Sequence, residues 1–216
     1  MPAQLQRRLL IFAVLLTLVV GSLFALEYLL VGLGMRLTSA SHMVVFLYTA
    51  PLFAALGLHW KLPSERLRPL QWLGIGVAFG GIVLAFSGHA GGAQRGASPL
   101  NADMLLGDAL GLLGGMAWGA TTVVLRSTRL GQAPATQTLL YQLVAAALLL
   151  LPAAFALGQA DIRPTAAAWG NLAFQAVIVS FASFLLWFWL LKKYLAAQLG
   201  VFSFLTPLFG VGFGVW

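Results

Sequence analysis

The stretch Phe46-Leu-Tyr-Thr-Ala-Pro51-Leu-Phe53 lies inside a long apolar run and has an echo 156 residues on, Phe202-Ser-Phe-Leu-Thr-Pro207-Leu-Phe209. In each, a proline removes a backbone donor and crowds the carbonyl four residues back, so a helix bends or loosens there. At this offset residues 45–60 and 201–216 agree at Val45/Val201, Phe46/Phe202, Pro51/Pro207, Leu52/Leu208, Phe53/Phe209 and Trp60/Trp216. The chain contains an internal repeat.

The surroundings of the repeat say what solvent it was built for. Hydrophobic residues make up 61% of the chain, charged residues only 8%, and the mean hydropathy is +0.94; a soluble domain carries about 25% charged residues. The expectation is an all-α membrane protein, with the lipid bilayer as its first partner. A helix needs about 20 apolar residues to cross a bilayer, and seven such runs can be counted, at 9–35, 41–60, 69–88, 104–126, 135–157, 167–191 and 197–216. The first is too long for the apolar region of a secretory signal and reads as a retained helix. None shows the alternation of an outer-membrane barrel strand.

The net charge of +7 would suit nucleic acid if the basic residues shared one polar face. They lie instead at or between the apolar runs. With the N-terminus inside, the inner connections hold Arg7, Arg8, Lys61, Arg66, Arg68, Arg126, Arg129, Lys192 and Lys193, and the outer ones only Arg36, Arg95 and Arg163. That bias sets a multi-pass topology with a cytoplasmic N-terminus, and no nucleic-acid partner is expected.

The proline stretches fall on the second and seventh runs. Five crossings separate them, an odd number, so they traverse the membrane in opposite directions and the repeat is inverted. Each proline is about ten residues into its run, or ~15 Å, close to the bilayer midplane. Paired interrupted helices at the midplane of an inverted repeat point to a transporter's substrate site. The competing explanation is that proline is simply common in membrane helices, with Thr49, Ser203 and Thr206 placed to satisfy the freed carbonyls; two prolines in register argue against it. A five-helix period across seven helices further implies seven of an expected ten transmembrane helices. On this reading residues 1–88 supply the last three helices of a first repeat, 89–103 a Gly/Ala/Ser-rich periplasmic linker, and 104–216 the first four of a second.

Several residues now resemble a known family. Arg36-Leu-Thr-Ser-Ala-Ser41, Tyr48-Thr-Ala-Pro51-Leu-Phe53, the basic turn Lys61-Leu-Pro-Ser-Glu65-Arg66 and Gln71-Trp-Leu-Gly-Ile-Gly-Val-Ala-Phe-Gly-Gly-Ile-Val-Leu resemble the EamA domain of the drug/metabolite transporter superfamily. Gly107-Asp108, Ala117-Trp118 and the second proline stretch repeat the resemblance. It implies an inner-membrane carrier of two inverted five-helix repeats that exports amino acids, other small organic metabolites or drugs by alternating access, without a cofactor. The alternative is a non-transporting assembly subunit, or an inactive fragment of such a carrier.

Candidate cavity or gate residues follow from polarity in an apolar setting. Glu27 is the one acidic residue well inside an apolar run, a costly position that suggests function. His42 begins the next helix, and a Glu27–His42 pair would make an outer gate or a proton site, since imidazole titrates near neutral pH. Asp108 reads more simply as a charge complementing its helix dipole. Tyr48 and Trp118 are candidate cavity walls beside Pro51 and Pro207, and Gln142 and Gln175 are candidate solute contacts or helix-to-helix hydrogen bonds. Gly107, Gly111, Gly115 and Gly119 recur every fourth residue, as do Gly76 and Gly80, a spacing that lets helices approach closely. An enzyme is not expected: there is no nucleophile elbow and no zinc spacing among three scattered histidines. With no cysteine, thiolate chemistry is excluded.

Overall fold

The computed structural model describes residues 3–92, 102–161 and 164–206, and the regular structure among them is helical, without a strand. In chain order the helices are α1 (Ala3–Gly34), α2 (Ala40–Leu47), α3 (Ala50–Lys61), α4 (Pro69–Gly92), α5 (Ala102–Ser127), α6 (Ala135–Ala156), α7 (Ala166–Phe174), α8 (Phe184–Lys193) and α9 (Ala196–Ser203). Short 3₁₀ turns at Pro63–Glu65 and Arg129–Gln132 join α3 to α4 and α5 to α6. Gln175–Ser183 is wound as a π-helix between α7 and α8.

Five segments among the described residues are long and apolar enough to cross a membrane: Thr17–Gly34, His42–Lys61, Ala102–Ser127, Ala135–Ala156 and Ala166–Lys193. The runs expected at 69–88 and 197–216 correspond to α4 and to α9, with 207–216 outside the described residues. Among the described residues the seven runs become nine α-helices for two reasons: the second run is split by its proline stretch, and the sixth by its π segment.

The chain forms two compact units, Met1–Ala25 with Val124–Tyr194, and Leu26–Val123 with Leu195–Trp216. The division falls inside α1 and inside α5, so the compact units do not follow the sequence halves. The first unit packs α1 on α6. Phe24, Ala25 and Ala146 are buried there beside Leu143, Leu150 and Phe184, and the rings of Phe24 and Phe184 meet edge to face at 5.5 Å. A Cβ on Gly21 would run into Ala145, so glycine sets how near α1 comes.

The second unit packs α3 on α9 and α2 on α4. Ala55, Leu67, Ile75, Ala197 and Phe204 form its core, with Tyr48, Leu52, Trp72 and Phe79 against them. The small alanines let the helices close, and the aromatic rings fill the remaining space. Ser39 caps α2 by accepting the backbone N–H of His42, and Pro51 lies in the first turn of α3, where a missing donor costs nothing.

Candidate functional site

The first proline stretch does interrupt its helix. α2 ends at Leu47, Tyr48 and Thr49 form a turn, and α3 starts at Ala50. Pro51 offers no N–H to the Leu47 carbonyl. The turn tightens instead: the Thr49 N–H and the Thr49 hydroxyl both donate to the Phe46 carbonyl, at 3.2 and 2.5 Å. The echo behaves alike as far as it is described. α9 ends at Ser203, Phe204 turns, and the Ser203 hydroxyl donates to the Gly200 carbonyl at 2.7 Å. Pro207 lies outside the described residues. A lone proline is not enough for such a break, because α6 runs straight through Pro152.

Glycines of α5 explain where the interruption can sit. Gly107 faces Leu37 and Thr38, Gly111 faces Met43 and Phe46, Gly115 faces the Tyr48–Thr49 turn, and Gly119 faces Ala50 and Phe53. The stripe therefore tracks the interrupted helix from its start to past its break, with both helices running the same way. At Gly115 a Cβ would stand 2.9 Å from the carbonyl oxygens of Phe46 and Leu47, and 2.5 Å from Thr49 Oγ1. Only glycine leaves room there for the loosened carbonyls. Gly76 and Gly80, by contrast, have nothing among the described residues within 4 Å of where a Cβ would be.

Tyr48 stands at the break as a junction. Its ring meets Trp118 edge to face at 5.7 Å, and its side chain lies next to that of Thr206 in the echo stretch. The approach is close, since a Cβ on Gly200 would be 2.8 Å from Pro51 Cβ. Two proline stretches far apart in sequence thus come together, with α5 supplying the aromatic partner.

The expected Glu27–His42 pair is corrected. His42 Nδ1 is 3.0 Å from Asp108 Oδ2, and Thr38 Oγ1 donates to Asp108 Oδ1 at 2.6 Å. Asp108 is 7% exposed and sits beyond the first turn of α5, so it is more than a charge at a helix end. Depth explains the exchange of partners. Gly34, at the end of α1, is the residue that meets Met43 and the Gly107 carbonyl; Glu27, seven residues earlier, lies ~10 Å further along the helix. Gly107 then admits the Leu37–Thr38 turn so closely that its neighbour Asp108 reaches both partners. Glu27 is half-buried and makes no ion pair among the described residues; its backbone carbonyl faces Gly114.

The two glutamines lie in the other unit. Gln142 is buried within α6, and among the described residues neither of its amide atoms is hydrogen-bonded. Gln175 opens the π-helix and is exposed, lining a shallow groove with Trp169, Asn171 and Leu172. Sequence reasoning missed Thr38 and Gly200 altogether and undervalued Asp108. The available signal was its adjacency to Gly107, the first member of the stripe.

The profile of the EamA-like transporter family matches residues 2–87 and 105–216. A protein of known crystal structure shares the fold with a TM-score of 0.72 at 23% identity, over 88% of this chain and 64% of that one. The chain therefore spans less than two thirds of that protein's length. No curated protein matches. With the helical, membrane-length segments and the family match over nearly its whole length, the chain belongs to the EamA-like transporter family of the drug/metabolite transporter superfamily and is a multi-pass membrane protein.

Proposed function

We propose that this chain carries the solute pathway of a secondary transporter that exports small organic metabolites, amino acids or drugs by alternating access, in a bacterial inner membrane with its N-terminus in the cytoplasm. The observation that carries the proposal is the meeting of the two proline stretches at Tyr48, between Trp118 and Thr206. An interrupted helix near the midplane exposes backbone polar groups that only a cavity or protein can tolerate, and an aromatic pair with a hydroxyl at its edge suits an amphipathic solute. The gap between the two family matches coincides with the polar linker 89–103, which supports sequence halves of 1–88 and 104–216. His42 and Asp108, tied to Thr38, would latch α2 to α5 at the outer rim. Glu27 remains the candidate proton site deeper along α1.

The test is efflux from cells expressing the chain, with a panel of labelled amino acids and the cation ethidium as probes. At least one probe should leave faster than from cells carrying an empty vector. Tyr48→Ala at matched membrane abundance should remove about nine tenths of that excess or more, the scale of a misplaced or missing contact. No excess efflux of any probe would instead support the non-transporting subunit.

A further inference from the structure

Four cations gather at one end of the first unit, and the solute pathway uses none of them. Arg126 ends α5, Arg129 lies in the 3₁₀ turn that follows, and Lys192 and Lys193 form the last turn of α8. Residues 1–25 and 124–194 contain a single carboxylate, Asp161, which follows α6. The cations lie at the other end of that helix, ~30 Å away by its length. Within this unit no acid lies at the end that holds Arg129, Lys192 and Lys193.

The end is built rather than merely charged. The Arg126 guanidinium donates to the Leu191 carbonyl at 2.5 Å, and the Lys192 ammonium donates to the Ala133 carbonyl. These bonds hold the ends of α5 and α8 and the start of α6 around one notch. A neutral carbonyl leaves the charge of Lys192 in place. The notch is lined mainly by apolar Leu125, Leu130, Phe188 and Leu191, with Thr138, Arg126 and Lys192. Beside it Lys193 Nζ sits 4.1 Å above the ring of Trp189, a side chain 46% exposed. A cation over an exposed indole is the arrangement of the membrane interface. Further along the same span Leu186, Phe181 and Ile178 are exposed and apolar.

We infer that this end binds an anionic phospholipid, its phosphodiester against Arg129, Lys192 and Lys193 and its acyl chains along the apolar flank of α8. The charge calls for an anion, and the apolar walls and interfacial indole call for an amphiphile rather than a soluble phosphate. Each basic side chain near such a surface strengthens anionic-lipid binding about fivefold, so three together give a preference of roughly a hundredfold.

The test uses the full chain purified in neutral detergent, with retained lipid counted by native mass spectrometry during titration with phosphatidylglycerol or phosphatidylcholine. Phosphatidylglycerol should bind at least tenfold more tightly, and raising sodium chloride to about 0.5 M should remove most of that preference. The variant Arg129→Gln/Lys192→Gln/Lys193→Gln should lose the preference. The charge-matched variant Lys61→Gln/Arg66→Gln/Arg68→Gln, altered in the other unit, should keep it. Equal affinity for the two lipids, insensitivity to salt, equal loss in both variants, or displacement of the lipid by millimolar inorganic phosphate would each overturn the inference. The lipid and salt comparisons need only the unaltered chain, so they decide even if the first variant fails to fold.

Discussion

α5 and α6 each bury a polar side chain within an apolar span, and they treat it in opposite ways. Asp108 on α5 has Thr38 and His42 as partners. Gln142 on α6 is 1% exposed, yet neither of its amide atoms has a partner among the described residues. The surroundings differ in the same sense: half of the apolar window of α5 is buried, against 22% for α6. On α5, glycines admit backbone so closely that polar groups meet, and its buried Thr121 and Thr122 hydroxyls bond the Ala117 and Trp118 carbonyls of their own helix. α6 has no such glycine stripe, and its buried amide is not reached. The difference teaches that in this chain polar satisfaction depends on close backbone approach.

The most severe way to break that comparison is to fill the stripe. Gly115→Val puts a Cβ where two carbonyl oxygens and a hydroxyl already stand, and none of these is the far end of a flexible side chain. We expect a loss of about 3 kcal/mol, at the upper end for overpacking, read as a lowered thermal midpoint in detergent. The same substitution at Gly80, with open space around it, should change stability by no more than about 0.5 kcal/mol. Similar losses at both positions would mean that the contact at the break does not control the result.

Removing the partnered acid comes next. Asp108→Ala leaves the Thr38 hydroxyl and the His42 imidazole without their acceptor. The cost should be about 2 kcal/mol, as for an orphaned part-buried polar cluster. Glu27→Ala, which breaks no ion pair among the described residues, should cost less, by the same thermal measurement. The reverse order would restore Glu27 as the residue that ties the helices.

These two acids also show how far the sequence could be read. Apolar runs of membrane length and two prolines in register were enough to place the helices and the break, because backbone satisfaction in lipid leaves few alternatives. Tyr48 and Pro51 were visible within that break, and Trp118 only as a candidate cavity wall. Partner choice was not. Whether His42 meets Glu27 or Asp108 depends on a shift of about 10 Å along α1, fixed by the contacts of Gly34 and Gly107 that no local pattern reveals. The π-helix at Gln175–Ser183 was equally hidden, since it contains neither glycine nor proline.

The smallest expected effect has the opposite sign and bears on function. Gln142→Leu replaces an unpartnered buried amide by an apolar side chain of similar size, and should stabilise the protein by about 1 kcal/mol, the desolvation cost it removes. A loss of stability would mean that the amide has a partner in the membrane. The sharper reading comes from measuring efflux on the same variant. An unpaired amide is worth keeping at a stability cost only if it binds something during the transport cycle. A gain in stability with unchanged flux would leave Gln142 as an uncompensated helix residue. A gain in stability with lost flux would make α6, rather than the well-satisfied α5, the helix that offers the solute its hydrogen bond.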